Sequence, residues 1–491
     1  MKKFAIRLAT ALALFCMTAQ AFAMNSVLDT YEGDEISQTM SDLERMYRFV
    51  DSNFLYDIDR KKVYEAMATA MLDALDDRWT MYISSSESEQ YEESITGKYS
   101  GVGIILSKSS VQNQKSDDER TLYVQVGTVF RGSPAQRAGL VTGDLITEID
   151  GQGVLEKTAT ECSKMLRGPR GTKVIVRVRR GNVEFELDII RDEINTPTVE
   201  SEMLPGGVFY IRINQFTQST SRQVRDEFRN IDHVNSIILD LRSNGGGDVN
   251  SCLAVANLFL EGGNVLIDTI SKVKSRNKTH YSSAGTIVPT DANMVVLINK
   301  GTASAAEILS VALRDNGRAI LVGEKSYGKG VMQYTSQYKD GIVNVTTAEY
   351  VSGSGRKVNK IGLDPDVSVS EAEMKDDEVK NAIEAQKSGA VHDFVRRNPK
   401  YDIAVVEKGI DELIVEYPAP RKALASLLLM EYKNTSERAN NTIAYPMYDE
   451  VLKTAIDIIE RANSTGGSVF DFIGEFQTQQ PEPDLEKAAN D

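Results

Sequence analysis

The sequence predicts an α/β protein: a largely parallel sheet with helices packed on it, interrupted by a β-rich insertion and flanked by helical regions. Three observations carry this reading. Between residues 208 and 350, short apolar strand runs at 208–213, 236–241, 294–298 and 320–322 alternate with helical patterns at 249–260 and 305–313. Such strand-helix-strand alternation builds parallel sheets covered by helices. Residues 96–192 instead show short alternating strands, such as 122–126 and 173–179, separated by glycine turns. The flanks, 25–95 and beyond about 371, carry apolar residues at helical spacing.

In chain order, residues 1–23 read as a leader. Lys2, Lys3 and Arg7 open it, 9–17 is apolar, and Ala21-Phe22-Ala23 fits a small-x-small cleavage site. This is the pattern of a bacterial secretory signal peptide cut after Ala23, and it places the mature protein in the periplasm or otherwise outside the cytoplasm. Leu14-Phe15 before Cys16 argues against a lipid anchor there. No later segment approaches 18 continuous apolar residues, so no membrane span is expected.

Residues 24–95 form an N-terminal helical region. Leu43, Met46, Tyr47 and Val50 share one face, and Val63, Met67, Ala70, Met71 and Leu75 another. Packing is the first reading of such faces, with a dimer contact or lid as the alternative; residues 84–94 read as a linker or short helix. The β-rich insertion spans 96–192, the α/β core 193–371, and a charged, mostly helical extension 372–491. The extension has apolar faces at 424–430 and 451–459 and a polar end at 480–491.

At 491 residues the chain is long enough for several domains. Its 41% hydrophobic and 26% charged content is that of a globular protein. The net charge of -15 becomes -18 once the leader's three basic residues are gone. An acidic surface argues against nucleic acid or an anionic membrane as the main partner. Cys162 and Cys252 fall in predicted helices of different domains and read as buried free thiols. His233, His280 and His392 have no metal-type spacing, so no metal or cofactor is expected, and His233 and His280 read as surface residues. Counting alone leaves a Ser-His-Asp triad open.

The chemistry is concentrated in Gly301-Thr302-Ala303-Ser304-Ala305-Ala306-Glu307-Ile308 and Ser326-Tyr327-Gly328-Lys329-Gly330. One serine sits at a strand-to-helix turn and one lysine in a glycine-flanked turn. A serine hydroxyl is a poor nucleophile until a base takes its proton. A lysine serves as that base only if burial lowers its pKa from about 10.4. A serine and a lysine 25 residues apart mean little by themselves. No Gly-x-Ser-x-Gly elbow surrounds Ser304, so nothing favours hydrolysis of small esters or lipids.

Within the insertion, Ser100-Gly101-Val102-Gly103-Ile104 precedes Ser133-Pro134-Ala135, Ala138-Gly139-Leu140, Gly143-Asp144 and Asp150-Gly151. Over about residues 98–190 this resembles a PDZ domain of the bacterial protease type. The resemblance implies that the loop Gly101, Val102, Gly103, Ile104 holds a terminal carboxylate while the next strand pairs with a peptide. Gly143-Asp144 and Asp150-Gly151 read as plain hairpin turns.

Three further blocks then fall into place: Leu239-Asp240-Leu241-Arg242-Ser243-Asn244-Gly245-Gly246-Gly247, residues 301–307, and Val322-Gly323-Glu324-Lys325-Ser326-Tyr327-Gly328-Lys329-Gly330. Together they resemble the carboxyl-terminal processing peptidases, over about residues 35–370. The resemblance implies a crotonase/ClpP-like α/β core with Ser304 as nucleophile, Lys329 as general base and Gln333 orienting the lysine amine. It further implies an oxyanion hole from the N–H groups of Ala305 and of Gly246 or its neighbours. Arg167, in Arg167-Gly168-Pro169-Arg170-Gly171, becomes a candidate regulatory residue between PDZ domain and core, with a solvated turn arginine as the alternative. Asp315 reads as a helix-end residue, because an acid near Lys329 would raise the lysine pKa. Ala306 departs from relatives that carry a second serine there, a position the mechanism does not require. The partners implied are proteins or peptides with free C-termini, and residues 25–95 and the C-terminal helices are candidate contacts for a second copy or an adaptor protein. The competing expectation is a catalytically silent, PDZ-containing peptide-binding scaffold.

Overall fold

The computed structural model describes residues 34–108, 123–155, 157–181, 183–229, 231, 234–339, 341–370, 374–435 and 443–477. The leader, Cys16, His233 and the polar end at 480–491 lie outside the described residues. The chain divides into two compact units, one up to Asp76 and one from Asp77 onward.

The first unit holds the helices Asp34–Asn53 and Arg60–Asp73. Asp59 starts the second helix by accepting the Lys62 N–H, which satisfies one of the amides a helix start leaves bare. Met46, Phe49, Leu55 and Met71 are exposed in this unit, and Leu72 is buried.

In the second unit the expectation of a helical region running to residue 95 is corrected. Met81–Ile83 is a strand, paired antiparallel with Gly341–Ser352. Its Met-Tyr-Ile run suits a pleated surface, and its partner lies some 260 residues away, beyond any local sequence signal. The helix Ser85–Thr96 follows and ends at Gly97 in a left-handed conformation.

The insertion is an antiparallel sheet in the order Ile104–Ser107, Val124–Val129, Leu145–Ile149, Lys173–Arg180, Val183–Ile190. Lys173–Arg180 shows the period of two: Val174, Val176 and Val178 are fully buried and the residues between them are not. The helix Ala159–Leu166 opens on a capping box between Thr158 and Glu161 and buries Cys162 and Leu166 against the sheet. The insertion leaves and rejoins the rest of the unit through the paired strands Lys98–Gly101 and Asp192–Asn195.

The core sheet has six strands in the order Val199–Leu204, Val208–Ile213, Ser236–Asp240, Asn293–Ile298, Ile320–Gly323, Val367–Ser368. The first pair is antiparallel and the rest are parallel. One face packs under the helices Thr220–Phe228, Val249–Phe259 and Ala305–Asp315. The other is covered by Glu450–Thr465, through Val451, Leu452, Ala455, Ile458 and Ile459. A parallel sheet must be covered on both faces, so the extension whose role the sequence left open supplies a whole layer of the core. Asp449 caps that covering helix and also pairs with Arg242, which is held by Asp240 at 2.6 Å. The helices Asp376–Lys387, Ala390–Arg397, Ile403–Glu416 and Arg421–Thr435 form a separate core around Phe394, Ile410, Leu428 and Tyr432.

A second, smaller sheet joins Met81–Ile83, Val265–Ser271, Lys278–Tyr281, Val331–Tyr338 and Gly341–Ser352. His280, expected in a surface loop, lies half-buried in one of these strands, where burial and Lys278 lower its pKa. Cys162 and Cys252 are buried free thiols.

Candidate active site

Ser304 sits where the strand Asn293–Ile298 turns into the helix Ala305–Asp315. The turn is wired from below. Asn299 Oδ1 accepts the N–H groups of Ser243 and Gly301, Thr302 Oγ1 donates to the Leu241 carbonyl, and Ala303 N–H donates to the Asn244 carbonyl. Ser304 itself has φ +55 and ψ -118, a conformation that L side chains rarely adopt. Such a residue stores on the order of 1–3 kcal/mol and persists only where its surroundings over-determine it.

Glu307 does that over-determining. Its carboxylate is fully buried and accepts four hydrogen bonds. Oε2 takes the Ser304 N–H at 2.9 Å and the Lys329 N–H at 2.8 Å. Oε1 takes the Ser326 hydroxyl at 2.5 Å and the Gly328 N–H at 2.8 Å. Burial pushes its pKa above the ordinary carboxylate value, and the four donors oppose that shift. Tyr350, also fully buried, bridges the same two places: its hydroxyl lies 3.1 Å from the Ser304 carbonyl and 2.7 Å from the Lys329 carbonyl. The backbones of residues 304 and 329 are thus held together from two sides. The motif blocks contain Glu307 but do not by themselves assign it this role. The signal was there, since Ser304-x-x-Glu307 is a capping-box pattern. Tyr350 carried no such signal.

The Lys329 amine rests on an aromatic face. Its Nζ lies 3.8 Å from the centroid of the Trp79 ring. Among the described residues, no hydrogen bond joins that amine to Ser304 Oγ. Burial lowers the Lys329 pKa below its usual 10.5, the Arg78 guanidinium lowers it further, and Asp77 opposes them. Gln333, expected to orient the amine, instead donates through Nε2 to Thr346 Oγ1 at 3.2 Å. The strand register slips between Met332 and Gln333, and such a bulge re-aims the side chain that follows it.

On the oxyanion side, the Ala305 N–H has no acceptor among the described residues. Gly246 lies against the nucleophile with φ +98, and a Cβ built there would meet Ser304 Cβ at 2.8 Å and Ala305 N at 2.9 Å. Only glycine allows that approach. The Gly246 N–H, expected to donate to an oxyanion, is instead taken by Asn244 Oδ1 at 2.9 Å. The cause is local: Asn244 is buried, its Nδ2 anchors on the Ile213 carbonyl, and its Oδ1 is left facing the glycine amide. Asp315 closes the nucleophile helix and accepts from the Ser354 hydroxyl at 2.6 Å.

In the insertion, Ile104–Ser107 is an edge strand. Just before it, the Val102 and Gly103 carbonyls accept from Ala135 and Phe130. The Val102 and Gly103 N–H groups have no acceptor among the described residues. Gly103, at φ +80, passes Ser133 too closely for any Cβ. Val102, Gly103 and Ile104 line a small pocket with Tyr99, Leu166 and Arg167. Arg167 pairs with Glu93 and stacks 4.7 Å from the Tyr99 ring centroid. Both partners belong to the segment that leads into the insertion.

A parallel sheet covered on both faces, a strained serine at a strand-to-helix turn and an inserted antiparallel module with an open edge together define the class of protein: an α/β core with a β-rich insertion. Comparison with known proteins gives that class its relatives. Residues 207–369 match the model of peptidase family S41, and residues 125–180 match a PDZ domain model. A probable CtpA-like serine protease of Staphylococcus aureus (strain COL) is 30% identical over 333 residues, covering 67% of this chain and 64% of the relative's own length. A probable CtpA-like serine protease of Staphylococcus epidermidis is 26% identical over 366 residues, covering 73% and 72%. Among solved structures, a photosystem II D1 C-terminal processing protease is 27% identical with a TM-score of 0.37, covering 64% of this chain and 84% of that one. Residues 207–369 thus carry the likeness to peptidase family S41 and residues 125–180 the likeness to a PDZ domain, and the chain spans 64% of the length of the first curated relatives it matches.

Proposed function

We propose that the chain is an exported serine endopeptidase that captures protein C-termini through its PDZ domain and cleaves peptide bonds with a Ser304–Lys329 dyad. The observation that carries this reading is the shared carboxylate. The amides of Ser304 and Lys329 both donate to one oxygen of Glu307, so two residues 25 apart in sequence have adjacent backbones. Burial of Lys329 supports its use as a base, because only the neutral amine can take a proton.

In this mechanism Ser304 Oγ attacks the scissile carbonyl carbon as its proton passes to the neutral Lys329 amine. The Ala305 N–H, joined by an amide of the glycine run at 245–247 other than that of Gly246, stabilises the oxyanion. Collapse of the intermediate expels the new amine, which takes its proton from the Lys329 ammonium. Water then attacks the Ser304 ester, with Lys329 again as base, and releases the acid. The free amides of Val102 and Gly103 hold the substrate's terminal carboxylate, and its last residues pair with the edge strand Ile104–Ser107. The leader at 1–23 supports export.

Casein digestion by the mature chain and by its Ser304→Ala variant, read by mass spectrometry, tests the reading. Cleavage by the unmutated chain alone supports it. No cleavage by either, even with added C-terminal peptides, favours the silent scaffold.

A further inference from the structure

Trp79 is the one tryptophan of the chain, and the Lys329 amine lies on its indole face, 3.8 Å from the ring centroid. The seat is rigid. Trp79 N–H donates to Asp77 Oδ1 at 3.2 Å, and its carbonyl accepts Asn344 Nδ2 at 3.2 Å. Thr80 Oγ1 donates to Asp77 Oδ2 and accepts the Thr346 N–H, tying the segment to the strand Gly341–Ser352. The lysine backbone is equally fixed by Glu307 and Tyr350. What can move between them is the lysine side chain.

We propose that Trp79 is a positioning residue for the general base: its indole seats the Lys329 ammonium in the resting site, and loss of the proton releases the amine towards Ser304. This rests on the reading of Lys329 as base. An aromatic face attracts an ammonium and has no comparable hold on a neutral amine. The protonated lysine, useless as a base, is therefore parked, and the neutral lysine is free to turn. The other charges acting on this amine are the Arg78 guanidinium and the Asp77 carboxylate, both beside Trp79 in the chain, with Glu307 behind the Lys329 N–H. Thr346 and Asn344, from the strand beneath, are neutral. Arg78 shares the aromatic site, 4.5 Å from the Trp79 centroid and 5.2 Å from that of Tyr327. It repels the parked ammonium while the indole attracts it.

The two neighbours therefore act with opposite signs. Removing the indole removes attraction for the charged form, so Trp79→Leu moves the rising limb of kcat/KM against pH to lower pH, by about half to one pH unit. Trp79→Phe, with a weaker face, shifts it less. Arg78→Ala removes repulsion and moves the limb to higher pH. A merely structural Trp79 would lower the plateau and leave the midpoint where it was.

The same tryptophan supplies a readout independent of catalysis. In the full mature chain, Trp79 emission titrates with the lysine, and the titration vanishes in Lys329→Met. A midpoint unmoved in both Trp79 variants, or emission that titrates identically in Lys329→Met, overturns the proposal. If the emission titration depends on Lys329 but Lys329→Met still cleaves casein, the base assignment fails and the positioning role falls with it, while the contact itself stands.

Discussion

Glu307→Gln is the sharpest test of the buried cradle, because it keeps the shape and removes the charge. The carboxylate accepts two donors on each oxygen; an amide keeps one oxygen and presents an NH2 in place of the other. If the NH2 replaces Oε2, the N–H groups of both Ser304 and Lys329 lose their acceptor. If it replaces Oε1, the Ser326 hydroxyl can turn and accept, since it already accepts the Leu363 N–H at 2.7 Å and has a second lone pair. The Gly328 N–H is then orphaned and the Ser326 O–H gives up its acceptor, but a hydroxyl can rotate and a backbone amide cannot, so this orientation wins. An orphaned buried donor costs about 1–3 kcal/mol, and the two bonds that remain lose their charge assistance. Part of this is offset, because the neutral amide no longer carries the burial cost that raises the Glu307 pKa. The net expectation is a loss of about 2 kcal/mol in urea unfolding with an unchanged m-value. Activity should suffer more, with kcat/KM on peptide substrates falling about 100-fold. The Gly328 N–H, now facing an NH2, is pushed away and shifts the turn that carries Lys329, and misplacement by about 1 Å costs that much. Glu307→Ala orphans all four donors and should cost more than 4 kcal/mol. A Gln variant that keeps stability within about 0.5 kcal/mol and kcat/KM within about twofold would refute the cradle argument.

Three further outcomes are expected. Because burial and Arg78 lower the Lys329 pKa below 10.5 and only the neutral amine is a base, kcat/KM should rise with pH and level off below the range of a free lysine; a flat or falling profile would contradict the dyad, as would turnover by Ser304→Ala. Gly246→Ala places a Cβ 2.8 Å from Ser304 Cβ at a φ of +98, and should abolish casein cleavage while costing about 2–3 kcal/mol, measured by thermal unfolding. Asp449→Ala removes a helix cap and one of the two carboxylates on Arg242, and should cost about 2–3 kcal/mol, less than a lone buried pair because Asp240 remains.

Much of the fold was legible because buried parallel strands write themselves as apolar runs. The run at 208–213 is the strand Val208–Ile213, and 249–260 gives the helix Val249–Phe259. Met81–Ile83 was not legible: a three-residue strand has no period to read, and its partner is supplied by the far end of the chain. The motif blocks flagged Ser304, Lys329 and Gly246, but not how their free groups are spent. The Gly246 amide depends on the rotamer of Asn244, and the amide of Gln333 on a one-residue slip of register. The seat of Lys329 joins residues 250 apart through an aromatic face, and single-sequence patterns hold no record of such a pairing.

The segment carrying Trp79 runs on into the strand Met81–Ile83 and the helix Ser85–Thr96, and that helix meets the insertion at Arg167. It also meets the strand that follows Lys329, where the Tyr91 hydroxyl lies 3.2 Å from Thr335 Oγ1. The Arg167 contact is weak by construction. Its side chain is 44% exposed, so the pair with Glu93 is worth at most about 1 kcal/mol, and stacking on Tyr99 adds about 0.5–1. Arg167 and Tyr99 line the same pocket as Gly103 and Ile104, so a peptide entering beside Ile104–Ser107 competes for the surfaces this contact uses. A contact of that size cannot hold the fold together, but it can bias the segment on which the lysine seat is built, since a ligand shifts an equilibrium only by its differential affinity for the two states. Arg167→Ala should therefore leave thermal stability within about 1 kcal/mol of the parent and change, by severalfold, the ratio of peptide cleavage with and without an added C-terminal peptide. If that ratio is unchanged while peptide affinity for the PDZ domain is intact, Arg167 is a solvated turn residue and the coupling runs elsewhere.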